Sequence, residues 1–267
     1  LDTSPPNIAI SDIALSEDSG TSNADFITNV SSQTVSAELS APLGSGDVLY
    51  GSVDGGSTWV DISDKVSDGA VSWTGVTLAD GGSLQFKVTD DAGNDGTVSS
   101  QPYVLDTVAP AITIGSIAIS QDTGASASDF LTNTSSQTVS ATLSAPLGGG
   151  DTLYGSVDGG STWVDITSKI ADTLLTWDTS LSGSNELQFK VTDAAGNDGI
   201  AASQAYVVDI SAPSISLSAF SFGAALNAVE VNGDATLTVT TDGVEDGNTV
   251  TLTLNGQTYT GTVSSDS

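Results

Sequence analysis

The feature that most constrains this chain is an internal repeat. The connector that opens it, Leu1-Asp2-Thr3, returns as Leu105-Asp106-Thr107 and, in diverged form, as Val208-Asp209-Ile210. Residues 49–62 return unchanged as residues 153–166. Self-similarity at a fixed spacing of about 104 residues is typical of an array built from one repeated unit. The two copies must therefore share one fold.

The connectors divide the chain into three modules. Module 1 spans residues 1–104, module 2 spans residues 105–207, and module 3 spans residues 208–267. The first two have the size of a small independent domain of about 100 residues. A proline soon after each connector fixes its own φ and favours extended backbone before it, so we expect stiff junctions. Module 3 lacks closing strands, and we expect it to be truncated or split by an insertion in a longer parent.

Within each module, apolar residues alternate with polar ones. In residues 33–40, Val35, Ala37 and Leu39 recur at every second position, which indicates a half-buried strand. Glycine-rich turns such as residues 54–57 recur every 8–12 residues or so, giving about seven strands per module. No segment has a helical period. The sequence predicts an all-β chain of tandem immunoglobulin-like β-sandwich modules in a linear array.

Module 3 diverges from the other two but keeps the β pattern. Alternation in residues 235–240 and 250–254 predicts strands. The pair Asn255-Gly256 predicts a tight hairpin turn into residues 258–263, because both residues tolerate positive φ.

The charge of the chain excludes several functions. Thirty-three acidic residues stand against four lysines, with no histidine and no cysteine, for a net charge of −29. Nucleic acids and anionic membranes require clustered basic groups, so neither partner is expected. Without histidine or cysteine there is no Ser-His or Cys-His nucleophile pair, and we predict no enzymatic activity. A hydrolase built on two carboxylates is not excluded by composition alone.

Aspartates occupy the loops that should meet where two modules join. Chain topology places the acidic loop of module 1 at the pole where its connector leaves, and the Asp-Ala-Ala-Gly-Asn-Asp loop of module 2 at the pole where that connector arrives. Ca²⁺ takes about six to eight oxygen ligands, which carboxylate, amide and backbone oxygens supply. The sequence predicts a Ca²⁺ site at this junction with the ligands Asp18, Asp25, Asp106, Asp193, Asn197 and Asp198.

The other two connectors have part of the same arrangement. Ahead of Asp2 in module 1 lie the candidate ligands Asp90, Asp91, Asn94 and Asp95. Behind Asp209 lie the candidate ligands Asp122 and Asp129 of module 2.

A simpler interpretation of these residues remains open. Asp and Asn favour turns because they hydrogen-bond their own backbone and tolerate left-handed conformations. The tryptophans allow two interpretations as well. Trp59 and Trp163 follow glycine turns, and Trp73 and Trp177 lie within strands, so core or hairpin packing is favoured over a sugar-stacking surface.

Several runs resemble the bacterial immunoglobulin-like repeats of giant RTX-type surface adhesins. They are residues 106–110, 122–132, 156–163 and 191–197. The resemblance implies an extracellular, cell-surface extender in cell adhesion and biofilm formation, with Ca²⁺ stiffening the junctions and the ligand bound by another region. It supports Asp106 and Asp209 as connector ligands and Asp193 as a loop ligand. The alternative is a module that itself binds a glycan or protein, which the near-identity of modules 1 and 2 disfavours.

Overall fold

The computed structural model describes residues 1–124, 126–218, 237–244 and 246–264. Module 1 is a sandwich of two sheets. One sheet has the strand order β1 (Ile10–Leu15), β3 (Ser32–Leu39), β7 (Ala70–Thr77), β6 (Val66–Ser67). The other has the order β2 (Ile27–Thr28), β9 (Ser99–Leu105), β8 (Gly81–Thr89), β4 (Val48–Ser52), β5 (Val60–Asp61).

Module 2 repeats this topology strand for strand. Its first sheet has the order β10 (Ile114–Ile119), β12 (Ser136–Leu143), β16 (Leu174–Ser180), β15 (Ile170–Ala171). Its second has the order β11 (Leu131–Thr132), β18 (Ala202–Val208), β17 (Ser184–Thr192), β13 (Thr152–Ser156), β14 (Val164–Asp165). The predicted fold class, tandem immunoglobulin-like β-sandwiches, is confirmed. Each module has more strands than the seven expected, because strands of two residues are too short to show an alternating pattern.

The core of each module lies between its two sheets and follows the predicted alternation. Val35, Ala37 and Leu39 are all buried on the inner face of β3. Trp73 packs edge-on against Phe86 with ring centroids 6.1 Å apart, and Trp177 and Phe189 repeat this pair at 6.1 Å. Edge-to-face contacts of this kind add stability beyond area burial. The interpretation of these two tryptophans as core residues is confirmed.

The described part of module 3 forms two strand pairs. β19 (Ser214–Leu217) pairs with β20 (Val239–Asp242), and β21 (Thr249–Leu254) pairs with β22 (Gln257–Thr262). The turn between β21 and β22 has Asn255 at φ 48° and Gly256 at φ 78°, which confirms the predicted hairpin. The expected strand over residues 235–240 begins outside the described residues. Within the described residues, no helix is long and apolar enough to cross a membrane.

Candidate functional site: the junction between modules 1 and 2

The acidic loop of module 1, residues 17–25, lies beside the outgoing connector. It leads into β2, which pairs in parallel with β9, the last strand of the module. β2 has only two residues, and they pair with Val104 and Leu105 at the end of β9, so the loop just before β2 and the connector just after β9 lie at one pole. The backbone amide of Asp106 donates a hydrogen bond to the carbonyl of Thr28 (2.9 Å) and fixes the connector there.

A buried glutamine anchors this acidic loop to the sandwich through hydrogen bonds. Gln33 is 3% exposed, and its side-chain oxygen accepts a hydrogen bond from the amide of Glu17 (3.0 Å). Its side-chain nitrogen donates to the carbonyls of Glu17 and Val30 (2.9 and 2.7 Å). Gln137 makes the equivalent bonds in module 2. The start of the loop is therefore held in place by a buried side chain whose polar atoms all have hydrogen-bond partners.

On the other side of the junction, residues 193–197 of module 2 form a tight turn, here called the seat. Asp193 is buried, and its carboxylate accepts hydrogen bonds from the backbone and side-chain nitrogens of Asn197 (both 2.9 Å). The side-chain nitrogen of Asn197 also donates to the carbonyl of Asp106 (2.8 Å). The connector residue Asp106 is thus bonded to module 1 through its amide and to module 2 through its carbonyl.

The acidic loop docks directly onto the seat. The hydroxyl of Ser19 donates a hydrogen bond to the carbonyl of Ala195 (2.7 Å), and Ala195 is only 1% exposed. Gly20 has φ +96°, and a Cβ on it would lie 1.9 Å from the carbonyl oxygen of Ala194. Gly196 has φ +91°, and a Cβ there would lie 2.9 Å from the amide nitrogen of Gly20. Both positions require glycine, because two backbones approach without room for side chains.

Sequence reasoning brought these two loops together correctly but missed the residues that touch. Ser19, Gly20, Ala195 and Gly196 were not among the candidates. The recurrence of a glycine at the equivalent positions Gly124 and Gly93 was the available signal, because repeated glycines mark backbone positions with special requirements.

Many of the predicted ligands form local turns. In each case one carboxylate oxygen accepts a hydrogen bond from the backbone amide two residues later, which is an Asx turn. The donor amides are those of Ser4 for Asp2, Ile27 for Asp25, Val108 for Asp106, Leu131 for Asp129 and Ser211 for Asp209, at 2.8–3.1 Å. These five aspartates therefore form the turns that the simpler interpretation of the sequence predicted. Each uses one carboxylate oxygen to do so.

Two other candidates are paired with lysine. Asp198 accepts from Lys190 (2.6 Å) and from the hydroxyl of Thr192 (2.6 Å). Burial raises the pKa of Asp198, but the hydrogen bonds from Lys190 and Thr192 outweigh it, so the pKa is below its usual value. The ammonium of Lys190 also lies 4.8 Å from the ring centroid of Trp163, a cation-π contact. This contact agrees with the hairpin-packing interpretation of Trp163.

Module 1 repeats this ion pair and cation-π contact. Asp95 accepts from Lys87 (2.7 Å) and Thr89 (2.6 Å), and these bonds lower its pKa. Lys87 lies 4.9 Å from the ring centroid of Trp59. Asp95 and Asp198 therefore already have a cationic partner within their own modules.

Two buried carboxylate oxygens at the poles have no hydrogen-bond partner among the residues that the structure describes. Oδ1 of Asp18 and Oδ1 of Asp122 are buried without a hydrogen bond, while the Oδ2 atoms accept from the amides of Phe26 and Phe130 (both 3.0 Å). An unpaired buried carboxylate oxygen is costly unless a proton, a donor or a cation satisfies it. These two atoms fit a hard cation, for which carboxylate and carbonyl oxygens are the preferred ligands.

The six predicted ligands of the junction do not gather into one carboxylate cluster. Asp198 is paired with Lys190, and Asn197 uses its side-chain nitrogen, a donor, toward Asp106 and Asp193. Among the described residues, no group of three or more acidic side chains is arranged to hold a metal ion. Asp151, which the sequence did not single out, lines a shallow pocket beside the connector with Asp106 and Asp193.

Comparisons with models of known protein families match parts of both complete modules. Residues 4–107 match a model of the bacterial Ig-like domain, and residues 158–210 match a second model with the same description. No curated protein matches the chain.

Among solved structures, the chain is similar to fibronectin(III)-like modules of Clostridium thermocellum CbhA. The identity is 15%, the match covers 75% of this chain and 93% of that one, and the TM-score is 0.42. It is also similar to the BSP domain of a biofilm-associated protein. There the identity is 13%, the match covers 76% of this chain and 30% of that one, and the TM-score is 0.25.

Proposed function

We propose that these bacterial Ig-like modules form a spacer segment of a bacterial surface adhesin, stiffened at the module junction by Ca²⁺. Immunoglobulin-like and fibronectin-like modules typically have structural rather than catalytic roles, and the two complete modules here repeat one topology. A spacer of this kind holds a ligand-binding region at a distance from the cell, so the ligand is recognised elsewhere in the parent protein. Its place is outside the cell, at the surface.

The observation that carries this proposal is the double attachment of the connector. Asp106 is bonded to Thr28 of module 1 and to Asn197 of module 2, and Ser19 bonds across to Ala195. Neighbouring domains in one chain move relative to each other by default unless their interface restrains them. Three hydrogen bonds around one short connector restrict rotation and bending, which is the property that a spacer needs.

Ca²⁺ would be held at the pole of module 1 by Asp18, with Asp106 and carbonyl oxygens of the junction as further ligands. The cation supplies positive charge to a buried carboxylate oxygen that lacks a hydrogen-bond partner. Asp18 contributes through Oδ1, because its Oδ2 already holds the amide of Phe26 and so fixes the side-chain orientation. Asp122 is the equivalent residue at the pole of module 2.

The expected affinity is modest. Extracellular modules bind Ca²⁺ with dissociation constants of about 10⁻⁴ to 10⁻³ M. At millimolar Ca²⁺ each site then adds about 0.4–1.4 kcal/mol to the free energy of unfolding. The larger effect of the cation is therefore on the freedom of the junction rather than on the stability of the modules.

Small-angle X-ray scattering of the chain in millimolar Ca²⁺ and then in chelator tests this proposal. We expect the maximum dimension to change and the distance distribution to broaden when Ca²⁺ is removed. Asp18→Asn should abolish this response, because it removes the unpaired charge at the junction. Asp122→Asn is the matched control, since it makes the same change at the far pole of module 2 and should leave the junction response intact. An identical profile with and without Ca²⁺ would refute the stiffening role.

A further inference from the structure

Module 1 carries its own copy of the seat, residues 90–94, at the pole opposite to its acidic loop. Asp90 accepts hydrogen bonds from the backbone and side-chain nitrogens of Asn94 (both 2.8 Å), as Asp193 does from Asn197. Gly93 has φ +86°, and its amide donates to the carbonyl of Asp90 (3.0 Å). The turn thus has the hydrogen bonds and the glycine conformation of the docked seat in module 2.

The two seats differ in their exposure: the acidic loop of module 1 covers the seat of module 2, and the seat of module 1 is uncovered. Ala195 in the seat of module 2 is 1% exposed beneath the acidic loop, whereas its equivalent Ala92 is exposed. A Cβ on Gly196 would meet Gly20 at 2.9 Å, whereas a Cβ on Gly93 would meet nothing within 4 Å. The seat of module 1 is therefore formed in advance and open.

The one sequence difference between the seats does not alter the docking surface. Asp91 stands where module 2 has Ala194. A Cβ on Gly46 would lie 3.0 Å from the Cβ of Asp91, and a Cβ on Gly150 would lie 3.0 Å from that of Ala194. The side chain at this position thus begins against a glycine loop of its own module, while the backbone carbonyl of the same residue is the group that meets the docked loop.

The connector is also attached to this seat. The side-chain nitrogen of Asn94 donates to the carbonyl of Asp2 (3.3 Å), as that of Asn197 does to the carbonyl of Asp106 (2.8 Å). The chain that enters module 1 is therefore directed past the seat in the same way as the chain that enters module 2.

We propose that residues 90–94 are a docking surface for a further immunoglobulin-like module, which binds through a Ser-Gly or Thr-Gly turn equivalent to Ser19-Gly20. The hydroxyl of the partner donates to the carbonyl of Ala92, and its glycine packs backbone to backbone against Gly93. The chain holds both versions of this turn, because Thr123-Gly124 occupies the equivalent position in module 2. The contact uses no carboxylate, so it goes beyond the proposed Ca²⁺ site and does not depend on it.

A fusion that places a second copy of residues 1–104 ahead of Leu1 in the full chain tests the proposal. Since Leu1-Asp2-Thr3 repeats Leu105-Asp106-Thr107, the fusion recreates the first three residues of the natural connector. Hydrogen-deuterium exchange is measured in chelator, with and without the added copy. The fusion holds two copies of residues 90–96, of which only the second is preceded by a module. We expect the second copy to slow about tenfold, to the rate of residues 193–199 in the same molecule, while the first copy keeps its fast exchange, so that these residues give two populations. Equal exchange with and without the added copy would overturn the proposal.

Variants in the added copy separate docking from unrelated protection. Gly20→Ala there should restore fast exchange at residues 90–96, because its Cβ would clash with a backbone carbonyl of the seat. Gly55→Ala is the control, since Gly55 also has positive φ but its Cβ would meet nothing within 4 Å. Ser19→Ala removes the hydroxyl without a clash and should speed exchange several-fold. If slowing persists in both Gly20→Ala and Ser19→Ala, the proposed contact is wrong. These measurements are made in chelator, so they do not test the Ca²⁺ proposal, which the scattering experiment tests separately.

Discussion

The acidic loops of modules 1 and 2 have closely similar sequences but different turns at their glycines. In module 1, Gly20 adopts φ +96° and lies against the backbone of Ala194. In module 2, the equivalent Gly124 is not in the left-handed region, and its amide donates to the carbonyl of Leu131 within its own module (3.0 Å). The hydroxyls of Ser19 and Thr123 both bond to the equivalent asparagine of their own module, Asn29 (2.9 Å) and Asn133 (3.0 Å). The hydroxyl of Ser19 also bonds to the carbonyl of Ala195 in the next module (2.7 Å).

The two loops therefore differ in backbone conformation at the glycine that contacts the next module. A glycine can occupy either region of backbone space at little cost, so a single neighbouring carbonyl is enough to decide between them. The rest of the loop is held alike in the two modules by Gln33 and Gln137. Adaptation to a neighbour is therefore confined to the tip, and the sandwich beneath it does not change.

The largest expected effect concerns the two hydrophobic cores, which should contribute equally to the stability of their modules. Trp73→Ala and Trp177→Ala each remove a ring from the same edge-to-face pair, and each should cost about 3–5 kcal/mol in the free energy of unfolding of its own module. Scanning calorimetry, with hydrogen exchange to assign each transition, measures both losses. Losses that differ by more than about 1 kcal/mol would show that the modules are not energetically equivalent.

A smaller effect should separate the two seats. Gly196→Ala and Gly93→Ala both place a side chain at positive φ, which costs on the order of 1–2 kcal/mol at each site. Only Gly196→Ala adds a clash with Gly20 across the junction. We expect the strain to lower the free energy of unfolding by similar amounts in both variants, as measured by urea denaturation. Gly196→Ala alone should lose further stability and broaden the scattering profile. A broadened profile for Gly93→Ala would contradict the assignment of the contact.

The smallest effect should be a pH response shared by both modules. Hydrogen bonds from the hydroxyl and amide of Thr58 and from the hydroxyl of Ser52 lower the pKa of Asp54 from 3.8 to about 2. The equivalent bonds lower the pKa of Asp158 to about 2. Because the folded pKa lies below the unfolded one, this stabilisation is present above about pH 4 and is lost as the pH falls toward 2.

Melting temperatures between pH 5 and pH 2 measure this response. Asp54→Asn and Asp158→Asn should each flatten the acid response of the module that carries the change, and by equal amounts. The effect should be small because Asp54 is exposed and Asp158 is only partly buried. A change confined to one module would show that the two turns differ in ways that their matching hydrogen bonds do not reveal.

Much of the fold followed from local pattern. The alternation around Val35 and the glycine turn at residues 54–57 identified strands and hairpins, because side chains in a strand point to opposite faces in turn. The two-residue strands β2 and β6 had no such signal. For the site, topology placed the correct loops at one pole. The partners of Asp95 and Asp198 did not follow from sequence, because Lys87 and Lys190 reach them from a neighbouring strand only in the folded sheet.

The repeat, the sandwich class and the inward-facing residues could all be predicted from sequence, since each of these rests on periodicity that is local along the chain. Which backbones touch depends on tertiary structure. Ser19 and Ala195 belong to different modules, and their contact depends on how two rigid bodies are placed about Asp106. The same is true of Oδ1 of Asp18, whose lack of a partner arises from the packing around it and from nothing in its immediate sequence.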